Sequence, residues 1–273
     1  MHRYVAFSSD PNGGNPAGVW IGDALPPEAE MQRIAADVGY SETAFVAPAS
    51  GLERTVRYFS PEIEVPFCGH ATIATGAALG ATEGEGTYRL ATAAGLLPVA
   101  VRAVGPHWEA SLTSAEPTYR LAPDPLIREA LSALRWEHDD LDDSLPPALA
   151  YAGAWHLVLA VSEADRLRTL DYDVERLAAL MRQEGFVAAQ LIWRERDGLF
   201  HSRNPFPVGG IVEDPATGAA AAALGGYLRE AGLVQAPFQL TVRQGEAMGR
   251  PSLLKVGVPA EGGITVTGVA IPI

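Results

Sequence analysis

The chain is poor in two reactive side chains. Among its 273 residues there is one cysteine, Cys68, and among its 20 basic residues one lysine, Lys255, the rest being arginine. A single thiol cannot close an intramolecular disulfide, which excludes a small disulfide-built scaffold. By itself it cannot build a Cys-based zinc or iron–sulfur centre. Schiff-base chemistry needs a lysine amine. Lys255 lies in Leu253-Leu254-Lys255-Val256-Gly257-Val258, whose alternation reads as a strand with the lysine on its solvated face. Pyridoxal enzymes and Schiff-base aldolases are thereby set aside. Basic charge is scarce too. With 33 acidic residues against 20 basic ones the formal net charge is −13, the reverse of the Lys/Arg excess that neutralises phosphates, so no nucleic-acid partner is expected. The longest uncharged apolar run, Val65 to Thr82, contains His70 and three glycines, too polar for a membrane span. The first residues, Met1 to Phe7, carry no apolar stretch of signal-peptide length. The expectation is a soluble cytoplasmic protein with no membrane partner. GxGxxG, GK[ST], HExxH, DFG and GxSxG patterns are all missing, so no nucleotide cofactor and no metal are expected.

The composition that remains, 48% hydrophobic and 19% charged, is that of a chain able to bury a large core. At roughly 150 residues per domain the length fits two domains or one large one. Strand-like runs at Arg3–Ser8 and Ala17–Ile21 flank the turn Pro11 to Pro16. Pro26 and Pro27 open a helix with Met31, Ile34, Ala35 and Val38 on one face, and Gly39 stops it. Strands are expected at Glu42–Ala47, Thr55–Phe59, Trp155–Ala160 and Ala188–Arg194, and a helix at Val174–Gln183. Ser111–Pro125 reads as a linker, and the acidic stretch Glu137–Asp143 as a solvated loop without calcium-loop spacing.

Internal similarity organises the rest. Aligning Gly69–Leu79 with Gly218–Leu228 matches Gly69 to Gly218, Ala71 to Ala220, Ala74 to Ala223, Gly76 to Gly225 and Leu79 to Leu228. Both segments are helix-like, uncharged all round and preceded by a proline-bearing turn. A helix without a polar face is buried on every side. The economical reading is two similar lobes, each wrapping a sheet around a central helix.

The start of such a helix presents unpaired N–H groups and a positive dipole end, a ready seat for a carboxylate. Cys68-Gly69-His70 stands at the first start and Asp214-Pro215-Ala216-Thr217-Gly218 at the second. Read singly, Thr217 and Asp214 are ordinary helix caps and His70 a hydrogen-bonded core histidine; their matched placement favours a site. Glu42, in Ser41-Glu42-Thr43-Ala44-Phe45-Val46, reads either as a desolvated carboxylate suited to acid/base work or as an edge-strand charge.

In this order, Asn12–Val19, Ser41-Glu42-Thr43-Ala44-Phe45, Pro66–Thr72, Glu213–Ala219 and Gln244–Ser252 resemble the motifs of the PhzF-type phenazine-biosynthesis isomerases, of diaminopimelate epimerase-like fold. The resemblance covers essentially the whole chain. It implies an α/β (α+β) fold of two lobes, residues 1–112 and 113–261, with a last strand at about 262–273 returning to the first lobe. Each lobe would be a rolled sheet or barrel around its helix, with the active site between them and a homodimer as the assembly. It further implies a cofactor-independent isomerase acting on a small carboxylate-bearing metabolite. Glu42 matches the family's acid/base glutamate, His70 the histidine of its GH motif, and Asp214 the aspartate of its DPxTG motif. Gly69 and Gly218 match the glycines whose amides receive substrate, with Ala71, Thr217 and Ala219 completing the expected contacts. Ala219 departs from the serine usual there, which puts the family's reference substrate in question.

Cysteine separates relatives of this fold. Epimerases and proline racemases resemble a two-thiol machine with one Cys before the glycine at each helix start, whereas in this chain Cys68 fills the first position and Thr217 the second. A threonine hydroxyl is a poor base, so symmetrical two-thiol racemisation is not expected. Cys68 is left as a packing residue or an auxiliary acid/base. The alternatives carried forward are an epimerase or dehydratase using Cys68, and a catalytically silent small-molecule binding protein.

Overall fold

The structure, a computed structural model, describes residues 1–273. The chain divides into two compact units, residues 1–113 with 267–273, and residues 114–266.

The first unit contains β1 (His2–Ala6), β2 (Asn15–Ile21), β3 (Thr43–Pro48), β4 (Glu53–Phe59), β5 (Glu64–Val65), β6 (Gly86–Thr92), β7 (Gly95–Val104), β8 (His107–Thr113) and the chain's last strand, β17 (Thr265–Pro272). Hydrogen-bonded neighbours run β1–β2–β3–β4–β6–β7–β8–β17 and back to β1, a closed barrel, which leaves no free edge among these strands. Helix α1 (Glu28–Val38) puts Met31 and Ala35 against Phe45 and Phe59 and ends at Gly39 in the left-handed conformation. Helix α2 (Gly69–Glu83) packs against β1, β2, β3, β7 and β8, with His70 to Gly80 buried without interruption. That enclosure explains a helix without a polar face.

The second unit contains β9 (Thr118–Leu121), α3 (Asp124–Leu134), β10 (Ala148–Tyr151), β11 (Trp155–Val161), α4 (Ala164–Arg168), α5 (Val174–Glu184), β12 (Ala188–Arg196), β13 (Leu199–Pro205), β14 (Glu213–Asp214), α6 (Gly218–Glu230), β15 (Phe238–Gln244) and β16 (Ser252–Val258). Its sheet runs β9–β10–β11–β12–β13–β15–β16. Helix α6 packs on β9, β10, β11 and β16.

The duplication is topological. In the first unit the pairs β1/β2, β2/β3, β3/β4, β4/β6 and β6/β7 are antiparallel, parallel, antiparallel, parallel and antiparallel. The pairs β10/β11, β11/β12, β12/β13, β13/β15 and β15/β16 repeat that order of senses. Even a local brace recurs. The short strand before each central helix is tied to its neighbour by a bidentate Arg–Glu pair, Arg57–Glu64 at 2.7 and 2.6 Å and Arg203–Glu213 at 3.0 and 2.6 Å. Hydrogen bonding to Arg57 holds the Glu64 carboxyl below the usual carboxylate range. Gly76 and Gly225 recur as well. A Cβ on Gly76 would lie 2.7 Å from Ala110 Cβ, and one on Gly225 2.9 Å from Val258 Cγ2. Both glycines thus lie where a strand crosses the helix closely, Gly76 against an atom fixed to the strand's backbone and Gly225 against side-chain methyls.

Two expectations are corrected. Ser111–Pro125 is not a plain linker: it holds the end of β8, all of β9 and the start of α3. Glu42 precedes rather than occupies its strand, and Thr43 to Ala47 are buried without alternation, because β3 has the barrel interior on one side and α1 on the other. The acidic stretch forms a short 3₁₀ turn, His138–Asp140, and Lys255 is exposed on β16. No helix is long and apolar enough to cross a membrane.

Candidate active site

The candidate residues form two clusters, one at the start of each central helix. In the first unit, Gly39 stops α1 and the chain turns through Ser41 and Glu42 into β3. The Gly18 N–H donates to the Glu42 carbonyl at 3.1 Å, which pins Glu42 to β2. His70, on the first turn of α2 and almost wholly buried, sits where three side chains converge. Its Nε2 is 3.4 Å from Glu42 Oε2 and 3.3 Å from Ser41 Oγ, and its Nδ1 is 3.4 Å from Cys68 Sγ. Glu42 keeps about a fifth of its side chain accessible (21%), enough to meet a ligand.

Cys68 is the N-cap residue in extended conformation. Thr72 gives its carbonyl both a backbone N–H (3.0 Å) and the side-chain hydroxyl (2.7 Å). Because that hydroxyl donates to Cys68, the Tyr58 hydroxyl 2.7 Å away is the donor to Thr72. Burial pushes the Tyr58 phenol far up, so it stays protonated for that role. The helical ladder of α2 starts at the Thr72 N–H, so the amides of Gly69, His70 and Ala71 project from the helix end. No acidic residue lies in the first turn to neutralise them.

The second cluster is built otherwise. Asp214 lies on β14, paired with Asn204 of β13. Thr217 is the N-cap of α6, yet its hydroxyl does not cap the helix; it donates to Asp214 Oδ2 at 2.5 Å. Gln244, fully buried at the end of β15, braces the turn. Its Oε1 accepts from the Thr217 N–H at 3.1 Å, and its Nε2 donates to the Asp214 carbonyl at 2.7 Å and to Thr217 Oγ1 at 3.0 Å. Both Gln244 donors being committed, Thr217 has to accept from Gln244 and give its only proton to Asp214. Every proton position in this network is thereby dictated. The next residue, Gly245, is at φ 76°, and a Cβ there would fall 2.3 Å from the Arg250 carbonyl oxygen and 2.7 Å from that of Pro215. Glycine is required where the chain presses on the Asp214–Thr217 turn. The ladder of α6 starts at the Ala221 N–H, so the amides of Gly218, Ala219 and Ala220 project, again with no acidic residue in the first turn.

Thus Glu42, His70, Gly69 and Ala71 come together in the first unit, and Asp214, Thr217, Gly218 and Ala219 in the second. The sequence alone did not single out Gln244 as a brace or Ser41 as a partner of His70, although both lie within the family-like motifs. A cavity of about 680 Å³ in the second unit, lined by Trp193, His201, Arg203 and Glu246 among others, contains none of the candidate residues.

Comparison with known proteins agrees with the motifs. Residues 4–273 match the family of phenazine biosynthesis-like proteins, PhzC-PhzF. The chain is 34% identical to a trans-2,3-dihydro-3-hydroxyanthranilate isomerase of Pseudomonas fluorescens, over 93% of this chain and 89% of that protein. It is 30% identical to an uncharacterized isomerase of Bacillus subtilis, over 98% of this chain and 94% of that protein. Among solved structures, a PhzF-family phenazine biosynthesis protein of Bacillus anthracis superposes with a TM-score of 0.88 at 27% identity, covering 100% of this chain and 96% of that one. A probable proline racemase of Agrobacterium radiobacter shares the fold at 14% identity and a TM-score of 0.67, over 100% and 90% of the two chains.

Proposed function

The chain belongs to the phenazine biosynthesis-like, PhzF family of isomerases, and from that premise we propose that it is a cofactor-independent isomerase that moves a proton on a small carboxylate-bearing metabolite. The observation that carries this reading is the Glu42 carboxylate held 3.4 Å from His70 Nε2 beside the projecting amides of α2. Glu42 takes a proton from one carbon of the substrate and returns it at another, while His70 and Ser41 steady the carboxylate between the two steps. Amides at a helix start receive the substrate carboxylate, and Asp214, fixed by Thr217, is the polar group offered at the second helix start. The assembly on this reading is a homodimer, as the family resemblance implies, in the cytoplasm, as the sequence reading expects.

The test is incubation with trans-2,3-dihydro-3-hydroxyanthranilate and carboxylate-bearing analogues in deuterated water, followed by mass spectrometry of substrate and product. Wild-type protein should yield an isomer, labelled with solvent deuterium to the extent that the proton on Glu42 exchanges between the two steps. Glu42→Gln should bind the same compound and remain folded while turnover falls by about 10²–10⁴. Near-full activity in that variant would rule out Glu42 as the proton-transferring group. A ligand recovered unchanged after long incubation would favour a binding protein instead.

A second reading has one observation behind it, the 3.4 Å approach of Cys68 Sγ to His70 Nδ1. An imidazole beside a thiol at a helix start can generate a thiolate base, as epimerase or dehydratase chemistry through Cys68 requires. Deuterium exchange abolished in Cys68→Ser but preserved in Glu42→Gln would select it.

A further inference from the structure

We propose that Glu42, Cys68 and His70 form a capture site for a thiophilic divalent cation of the zinc class, through which such an ion reversibly occupies the first helix start. The site goes beyond the isomerase reading and does not depend on it; only the inhibition it would cause rests on that reading. One atom of each residue, a carboxylate oxygen, the sulfur and an imidazole nitrogen, lies within 4.8 Å of the other two. Zinc bonds of about 2.0–2.3 Å at tetrahedral angles place neighbouring ligand atoms about 3.3–3.7 Å apart. His70 Nε2 is 3.4 Å from Glu42 Oε2 and 3.9 Å from Cys68 Sγ, and with all three ligand atoms within 4.8 Å, rotation of the imidazole and closure of the Glu42 carboxylate toward the sulfur bring them onto one ion.

The donor chemistry selects the metal. Sulfur, imidazole and carboxylate suit zinc, whereas magnesium and calcium require six or more hard oxygens. A thiolate and a carboxylate together neutralise a divalent charge, which matters at a helix start whose dipole repels cations. The ligands are also anchored. The Cys68 carbonyl is held by the two hydrogen bonds from Thr72 and the Glu42 carbonyl by the Gly18 amide, so the backbone carrying each ligand is fixed, and His70 is held by burial on α2. Binding releases the thiol proton, replaces the Cys68–His70 contact, and leaves a fourth position for water or an anionic ligand. An ion held there takes Glu42 and His70 out of proton transfer, so the predicted consequence is reversible inhibition.

The experiment uses the whole chain, freed of metal and titrated with Co²⁺ as a coloured substitute, then with Zn²⁺. One equivalent of Co²⁺ should give the strong d–d absorption of a tetrahedral site with a thiolate-to-cobalt charge-transfer band, and Zn²⁺ should bleach both. Cys68→Ala should lose the charge-transfer band. His70→Ala and Glu42→Gln should each weaken Co²⁺ binding at least about tenfold, with circular dichroism confirming the fold. Zn²⁺ should also protect the wild-type thiol from alkylation, a readout that needs no variant. Three results would overturn the site: no binding, a thiolate band whose affinity is unchanged in both His70→Ala and Glu42→Gln, or binding without a thiolate band. The last would place the ion elsewhere, for instance at His201, which already bridges Glu195 and Glu246 at 2.7 and 2.9 Å.

Discussion

The two helix starts sit on equivalent scaffolds and carry their carboxylates at non-equivalent places. In the first unit the acid is Glu42, one residue before β3; the same position before β12 is Val187. In the second unit the acid is Asp214, the last residue of β14; the same position on β5 is Val65. Around Glu42 the partners of His70 lie at 3.3–3.4 Å and can exchange roles as protons move. Around Asp214 the Gln244–Thr217 network dictates each proton. The repeated scaffold presents two amide-lined helix ends, one adaptable and the other fixed. A symmetrical two-base racemase would need equal groups at equal positions, and this chain has neither.

The largest expected effect follows from that asymmetry. Besides the loss in Glu42→Gln, a double variant Glu42→Val with Val187→Glu, which moves the carboxylate to the equivalent place in the other unit, should remain as inactive as Glu42→Gln. Steady-state turnover decides it, and recovery of even a tenth of wild-type activity would mean that the two ends are chemically interchangeable.

Next in size is a difference at the parallel strand pairs. Gly18 pairs with Thr43 in the first unit, and His156 with Ala188 in the second. His156 is fully enclosed, and loss of hydration lowers its pKa from 6.5 to about 4. The unfolded chain therefore binds a proton between pH 6.5 and 4 that the folded one refuses. Stability from this group is complete above pH 6.5, falls as pH drops, and levels off below about pH 4. At about 1.4 kcal/mol per pKa unit the loss is about 3 kcal/mol. Urea unfolding of wild type and His156→Leu at intervals across this range should show that loss in the wild type alone, and parallel curves would refute it.

Smaller again is the contrast between the braces. Gln244→Leu strands the Thr217 amide and the Asp214 carbonyl and should destabilise the fold by about 1–3 kcal/mol. Because it loosens the turn that presents Asp214, KM should rise more than kcat falls. Tyr58→Phe removes one donor to Thr72, which keeps its bond to Cys68, so about 1 kcal/mol is expected. Chemical denaturation ranks the pair, and Tyr58→Phe proving the costlier would reverse the assignment of fixed and adaptable ends.

These contrasts also mark what the sequence disclosed. The buried helices were legible because a stretch such as Gly69–Leu79 has no charge to expose, and the helix-spaced Met31 and Ala35 announced the α1 contact. Glu42 could be singled out because it is polar in an apolar setting, and His70 and Asp214 because they stand at matched helix starts. Pattern alone could not place Glu42 outside its strand, since a strand packed on both faces shows no alternation. It could not reveal the recurring Arg–Glu brace, because Arg57 and Glu64 are separated by a different loop length from Arg203 and Glu213. Nor could it identify Gln244 as the keystone of the second turn, which depends on the approach of residues 27 and 30 positions apart. Spatial convergence of that kind leaves no local periodicity.

The finest contrast lies inside the paired helices. Replacing glycine by alanine in a helix interior gains about 1 kcal/mol of backbone preference, and an overpacked core loses about 1–3 kcal/mol. At Gly76 the added methyl meets Ala110 Cβ at 2.7 Å, an atom fixed to the β8 backbone, with Val99 and Val101 methyls at 3.2 and 3.3 Å closing the other sides. Relief requires strand movement in a closed barrel, so the packing loss should win, by up to about 2 kcal/mol. At Gly225 the nearest atoms are the rotatable methyls of Val258, Val256 and Ile264 at 2.9, 3.1 and 3.2 Å. Small side-chain rotations suffice there, and the helix gain should nearly offset the strain. Gly76→Ala should therefore unfold at lower urea than wild type, with Gly225→Ala close to it. If Gly225→Ala instead proved the more damaging, the second helix would be the more tightly enclosed, and barrel closure would not be what separates the two units.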